Sequence, residues 1–216
     1  GRETGLFTEA GAEMRLAKVQ PEEIYFTSGA TESNNILVQA MEGHAIITSM
    51  EHSSVRSVLE AKGLAITKLD SMDKSSIKSA LKDNTTFIGA IHTNNEVGFR
   101  HQLDKDLKEL TDAFLFQDCT QSFLKEKLDL SHLDAATMSS HKVGSLSGLG
   151  ILYLSKRFPK ERLVYGGSQE KGLRSGTENI SSLVALSSIL DDWILNRESY
   201  YSHVKSLHDT LVKELP

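Results

Sequence analysis

The sequence predicts an α/β fold, a mainly parallel central sheet with helices on both faces. Three observations lead there. Short apolar runs of strand length alternate with helical patterns along most of the chain, the order that β-helix-β crossovers require. No internal repeat, linker or low-complexity segment interrupts that alternation, and no domain boundary is visible before Ile180. A length of 216 residues suits one large α/β domain and is enough to bury a core.

Taken in order, residues 8–19 predict the first helix, and the apolar run 23–27 the first strand. That strand enters a small-residue turn and then a helix over 31–41. Strand 45–49 precedes helix 53–62, strand 65–69 precedes helix 74–81, and strand 86–92 precedes helix 103–112. The Glu- and Lys-rich stretch within 103–110 reads as a solvated helix face with i,i+4 charge support. Further strands are predicted at 114–117, 135–138 and 150–154, and the C-terminal part as two helices, 180–196 and 197–215. That helical pair either packs back on the core or exposes an apolar face.

Composition narrows the function. A net charge of −5 gives no electrostatic reason to bind nucleic acid or an anionic membrane. No apolar run approaches the roughly 20 residues that span a bilayer, and no secretory leader pattern is present. A single cysteine forms no internal disulfide and fits a reducing, cytoplasmic setting. No Cys/His cluster has zinc spacing, so no metal is expected. His44, His101, His132, His203 and His208 read as surface or internally satisfied rings, and Trp193 as packing.

Three segments carry chemistry. Ser139-Ser140-His141-Lys142 follows a buried strand and opens a loop of small residues. A lysine beside a histidine there is placed for desolvation, which disfavours the ammonium and leaves an amine able to form a Schiff base with an aldehyde. The run Phe26-Thr27-Ser28-Gly29-Ala30-Thr31 passes from strand to helix. It offers amides and hydroxyls at the positive end of a helix dipole, a seat for an anion or a phosphate; an ordinary N-cap would look the same. Finally, an apolar strand runs into Asp118-Cys119-Thr120-Gln121. A carboxylate at the C-terminal end of a strand faces the crevice where open α/β sheets bind ligands. Phosphate seat, carboxylate and amine together complement pyridoxal phosphate, which carries a phosphate, a ring nitrogen and an aldehyde.

The same segments carry a family resemblance. Residues 27–35, Glu51-His52, 92–98, 118–122, 139–142 and 166–179 occur in the order and approximate spacing of NifS-type cysteine desulfurases, members of the class V aminotransferase group with the fold-type I architecture. The resemblance covers nearly the whole chain. It implies that Lys142 bonds the cofactor and that Ala30 and Thr31 bind its phosphate with help from Ser139 and His141. His52 would stack on the ring and, with Lys142, move protons. Asp118 would pair with the ring nitrogen, and Asn95 and Gln121 would contact the ring hydroxyl region. Thr177 would reach the phosphate in the neighbouring subunit of a homodimer. Arg174 is left open between a phosphate, a substrate carboxylate and a structural ion pair.

The implied reaction converts L-cysteine to L-alanine and passes the sulfur as a persulfide to a cysteine, from which a sulfur-acceptor protein would draw it, as in iron-sulfur cluster assembly. Selenocysteine lyase, another class V enzyme, and a non-catalytic cofactor-binding or dimerising module share these motifs. Two departures stand out. Gly144-Ser145-Leu146-Ser147-Gly148 replaces the family's Gly-Pro-Lys-Gly loop, and the only cysteine, Cys119, sits beside Asp118 where the family has a small residue. The expectation is therefore a large cofactor-binding domain over 1–216, short at both ends relative to the family. Residues 180–216 would lead toward a small domain carrying the nucleophilic cysteine and a substrate-binding arginine.

Overall fold

The computed structural model describes residues 17–215. The helix expected over 8–19 therefore lies outside the described residues apart from its last three positions. Seven strands form one sheet: β1 (Ile24–Thr27), β2 (His44–Thr48), β3 (Ala65–Leu69), β4 (Thr85–Ile91), β5 (Phe114–Asp118), β6 (Ala135–Ser139) and β7 (Gly150–Leu154). Their spatial order is β1-β7-β6-β5-β4-β2-β3. Only β7 runs against its neighbours, pairing antiparallel with both β1 and β6; every other pair is parallel.

Alternate residues of each strand enter opposite cores, as a pleated strand requires. Tyr25, Ile47, Phe87, Phe116 and Leu152 pack on one face with α1 (Ala30–Gln39) and α2 (Ser53–Lys62), which contribute Ile36, Leu37, Val55 and Leu59. Phe26, Ile46, Ile88, Leu115 and Ile151 face the other side. There α3 (Lys74–Ala80) supplies Ile77, and the first turns of α4 (Ile180–Glu214) supply Leu183, Leu186 and Leu190. Two buried layers explain why the central strands read as continuous apolar runs.

Two expected elements differ. Residues 103–112 form only a short 3-10 turn, Lys105–Glu109. The Leu103 carbonyl accepts from His132 Nε2 at 2.9 Å rather than opening a helix, and burial of Leu103 and Leu107 fixes the segment. The two C-terminal helices are one continuous 35-residue helix. No Gly or Pro interrupts it, and Asp192 accepts from both Asn196 Nδ2 at 2.9 Å and Tyr200 Oη at 2.6 Å across the expected break. Beyond Leu190 it leaves the core, with Val204, Leu207 and Leu211 exposed. Among the described residues, no helix is long and apolar enough to cross a membrane.

The edge strand β1 is buried although one side has no strand neighbour among the described residues. The segment 164–179 covers it with side chains: Glu170 Oε2 accepts from Phe26 N at 2.9 Å, and Lys171 Nζ donates to Ile24 O at 3.3 Å. Glu170 and Lys171 reach that edge from consecutive left-handed backbone conformations, φ 47° and 56°. Charged side chains on an edge block further strand pairing.

At the N-terminal end of β6, the fully buried Asp134 gathers three strands. It accepts from Leu115 N at 2.9 Å and from Arg157 Nη2 at 2.6 Å, while its carbonyl accepts from Ser155 N at 2.8 Å. Against the desolvation that would raise it, Arg157, the Leu115 amide and Lys108 hold its carboxyl below the usual range. The carboxylate therefore stabilises the fold above the ordinary carboxylate range, and that contribution is lost as pH falls through the depressed value. Asp134→Ala is expected to cost about 3 kcal/mol, by stranding Arg157 and the Leu115 amide. Urea midpoints at neutral pH check this, and the wild-type midpoint should approach the variant's as the pH is lowered.

Candidate active site

The parallel strands end at one level, and the loops that follow them meet there around a pocket of about 390 Å³. Position along the ladder explains the convergence. Ile91, the last residue of β4, lies opposite Asp118, the last of β5; Asp118 lies opposite Thr137 of β6; and Ser139, the last of β6, lies opposite Gly150, the first of β7. Because β7 is reversed, its first residue joins the C-terminal ends of the others.

The seat at the end of β1 is a turn through Ser28 and Gly29 into α1. Gly29 caps the helix without a side-chain bond, so the first amides of α1 have no intrahelical acceptor and point outward. Thr27 Oγ1 and Ser33 Oγ, 2.8 Å apart, tie the turn to the helix beneath. A β-carbon on Gly150 would fall 2.4 Å from both Thr27 Oγ1 and the Gly29 carbonyl carbon. The turn can lie against β7 only because residue 150 has no side chain.

His52 occupies the N-cap of α2. Its Nδ1 accepts from Ser54 N at 3.1 Å. In the neutral ring this assigns the proton to Nε2, a tautomer set by the hydrogen-bond network. Asn34 Nδ2 donates to Ser54 Oγ at 2.9 Å, linking that cap to α1. Asp118 is buried at the pocket's base and accepts from Thr120 N at 2.9 Å. Burial raises its carboxyl, opposed by Thr120 and by the nearby His52 ring. It forms no ion pair among the described residues.

Lys142 lies in a 3-10 turn, Ser140–Val143, that follows β6 directly. Its side chain is exposed, so this chain's own fold does not supply the desolvation argued from sequence. Ser139 Oγ and His141 Nδ1 are 2.9 Å apart at the same rim. The altered loop after Lys142 is anchored: Ser140 Oγ donates to Leu146 O at 2.6 Å, and Asn179 Nδ2 and Ser182 Oγ donate to Gly148 O and Ser147 O, each at 3.3 Å.

Ala30, Thr31, His52, Asn95, Asp118, Gln121, Ser139, His141 and Lys142 thus line one pocket. Thr177 does not. It lines an adjoining recess of about 210 Å³, which shares Ser28 and Gly148 with the main pocket. Arg174, left open by the sequence, is an ion-pair partner of Glu32 at 2.7 Å. Sequence reasoning missed Ser54 and Ile91 as lining residues. The first carries its signal as the cap partner two positions after His52; the second has none outside the register of β4. It also missed the role of Glu51. That side chain is buried, its Oε2 accepts from Ile91 N at 2.7 Å, and its Oε1 meets no hydrogen-bond geometry among the described residues. Burial, and then the Asp118 charge, push its carboxyl well above the usual range. Cys119 is fully buried, and burial followed by the Asp118 charge drives its thiol far above the ordinary value.

These residues fit a pyridoxal phosphate. Uncapped helix amides suit a phosphate. A buried carboxylate without a cationic partner suits a protonated ring nitrogen, and a β-carbon on Gly29 would meet nothing within 4 Å, so the seat opens onto free space.

Fold and pocket together describe a fold-type I transferase domain, and likeness to known proteins agrees. The aminotransferase class-V family model matches residues 11–216, and the chain belongs to that family. Within it, the chain is similar to proteins of the cysteine desulfurase group. It is 32% identical to the cysteine desulfurase IscS of Dictyoglomus turgidum, an alignment that covers 100% of this chain and 60% of that protein. Its structure resembles DndA from Streptomyces lividans, with a TM-score of 0.88 and 26% identity over 97% of this chain and 66% of that one. It also resembles SspA, solved in complex with cysteine, with a TM-score of 0.75 and 29% identity over 87% of this chain and 60% of that one. The chain therefore spans less than two thirds of the length of these relatives.

The buried Glu51 predicts a pH dependence. The folded chain retains a proton that the unfolded chain releases, so stability is lost as pH rises above the ordinary carboxylate range. Glu51→Gln keeps an acceptor for the Ile91 amide and cannot ionise. The variant is expected to have the higher urea midpoint near about pH 8, with the two proteins converging near about pH 4. A variant weaker than wild type at both values would contradict a neutral Glu51.

Proposed function

We propose that this chain is the cofactor-binding domain of a pyridoxal-phosphate-dependent cysteine desulfurase. The observation that carries the reading is the convergence on one pocket of a helix N-terminus, an unpaired buried carboxylate and an accessible lysine. In this reading Lys142 holds the cofactor aldehyde. Ala30 and Thr31 take the phosphate from the end of α1, with Ser139 and His141 at its rim. Asp118 holds the ring nitrogen, Asn95 and Gln121 address the ring hydroxyl, and His52 covers the ring. Bound there, pyridoxal phosphate supplies an aldehyde for amines and a pyridinium that withdraws negative charge from the substrate carbon.

The chain's own residues then orient and move protons. Asp118 would hold a protonated ring nitrogen, and a cation there would in turn favour the carboxylate form of Asp118. His52, fixed by the Ser54 amide, offers Nε2 toward the pocket, and Lys142, once free of the cofactor, offers its amine for proton transfer at the substrate carbon. The substrate is L-cysteine: a thiolate attacks its sulfur, the carbon–sulfur bond breaks, the carbon takes up a proton to give L-alanine, and the sulfur leaves as a persulfide. Cys119 is no such thiolate, being buried beside a carboxylate. The acceptor thiol must come from outside these residues, and a sulfur-accepting protein would follow it. A homodimer suits Thr177, which lies apart from the pocket of its own chain and would serve the phosphate of a second copy. A cytoplasmic setting fits the single reduced cysteine. A second reading, a chain that binds cofactor without turnover, is favoured by that buried Cys119.

Two measurements test this. Borohydride reduction of the cofactor-loaded chain should fix the added mass on Lys142, and Lys142→Ala should abolish the visible absorption band; a label on another lysine with Lys142 unmodified would refute the assignment. The loaded chain alone should release sulfide from cysteine at least about a thousandfold more slowly than a full-length cysteine desulfurase, since it lacks an attacking thiolate. A rate within about tenfold of that reference would mean that residues 1–216 complete the site by themselves.

A further inference from the structure

The pocket's phosphate seat depends on a contact made from 142 residues away. Arg174, in the segment that covers β1, donates from Nε to Glu32 Oε1 at 2.7 Å. The other oxygen of Glu32 accepts from Ser28 N at 2.6 Å. One carboxylate thus spans from the covering segment to the first residue of the turn that presents Gly29, Ala30 and Thr31. Both side chains are largely buried, at 21% and 13% exposure, so solvent screens the pair weakly. The rest of the segment is anchored independently: Glu170 binds Phe26 N, Lys171 Nζ donates to Ile24 O, and Asn179 Nδ2 donates to Gly148 O, the last two at 3.3 Å. The Arg174–Glu32 contact is therefore not needed merely to keep the segment in place.

The same contact settles how the turn is oriented. Ser28 lies between β1, held by its ladder with β7, and α1, whose first amides have no intrahelical acceptor. With Ser28 N tied to Glu32, the chain must turn at Gly29. The carboxylate that could itself cap the exposed amides of α1 is instead occupied on both oxygens, by Arg174 and by Ser28 N. Without the guanidinium, Glu32 in the first turn would remain an anion at the mouth of an anion seat, repelling a phosphate.

We infer that Arg174 is a positioning residue for the cofactor phosphate, acting through Glu32 to fix the Ser28–Gly29 turn and to neutralise the carboxylate beside it. The inference rests on the reading of this pocket as a pyridoxal phosphate site. Arg174 does not line the main pocket; it borders the adjoining recess with Thr177, so its removal should weaken recognition of the phosphate and spare recognition of the aldehyde.

The test compares binding of pyridoxal phosphate with binding of pyridoxal, which lacks the phosphate, by visible absorbance titration of the full chain. Wild type should favour pyridoxal phosphate by at least about tenfold, the contribution of a charge-assisted phosphate contact. Arg174→Met should lower that preference by about tenfold through loss of the charge-assisted bond and release of the Glu32 charge. Glu32→Gln removes the charge but sets an amide against either Arg174 or Ser28 N, and should lower the preference by a smaller factor. Pyridoxal binding should change less than about twofold in both variants. A wild type without preference would refute the phosphate seat itself. A wild type with the preference and variants that keep it would refute the role given to Arg174. Equal loss of both ligands, or loss of the native circular dichroism, would make the pair a contact of the fold and overturn the inference as well.

Discussion

The register of the central ladder is the constraint on which the site depends. None of the pocket's key side chains lies near another in sequence, apart from those within a single turn. Ile91, Asp118, Ser139 and Gly150 meet because β4, β5, β6 and β7 are hydrogen-bonded in a fixed stagger that brings their ends level. A shift of one residue in any pair would turn alternate side chains to the other face. It would bury Ser139 among the helices and carry Asp118 out of the pocket. The alternating assignment of strand residues to two apolar layers prevents that slip, so core packing is what holds the chemistry in place.

Charge is distributed around that frame with a consistent logic. Asp134, at the N-terminal end of β6, is paired with Arg157 and Lys108, whereas Asp118, at the C-terminal end of β5, has the Thr120 amide, polar side chains and the His52 ring but no ion pair among the described residues. The first is a carboxylate satisfied by the protein; the second is one left for a ligand to satisfy. Glu51 stands between the two cases, bonded to the Ile91 amide, its carboxyl pushed well above the usual range by burial and by Asp118. Burying carboxyl groups this way costs stability, a pattern typical of sites that must meet a charged partner.

Most of the sheet was legible in the sequence because buried strands declare themselves by apolar runs bounded by polar turns. The strand limits 65–69 and 150–154 coincide with those observed, and the others agree within a residue or so. The pocket was legible for a different reason: its residues fall at the C-terminal ends of those strands, where small, polar and charged types interrupt the apolar pattern. What escaped was set by tertiary contacts. The helical spacing of Leu103, Leu107 and Leu110 gave no warning that His132 would occupy the Leu103 carbonyl. The break expected near Asn196 was bridged by Asp192 on the helix surface. Arg174 could be assigned only once the covering segment was seen to bring it to Glu32, since nothing in the local sequence of either residue specifies the other.

Gly150 carries a consequence of another kind. Any other residue there brings a β-carbon into space already taken by Thr27 and Gly29. The strand that reverses the sheet and the turn that opens the pocket therefore share a single small volume and cannot vary independently. The Ser28–Gly29 turn cannot be reshaped without also repositioning β7, and with it the edge strand β1 that β7 supports. The part of the pocket most tightly tied to the sheet is thus the part built around an absent side chain.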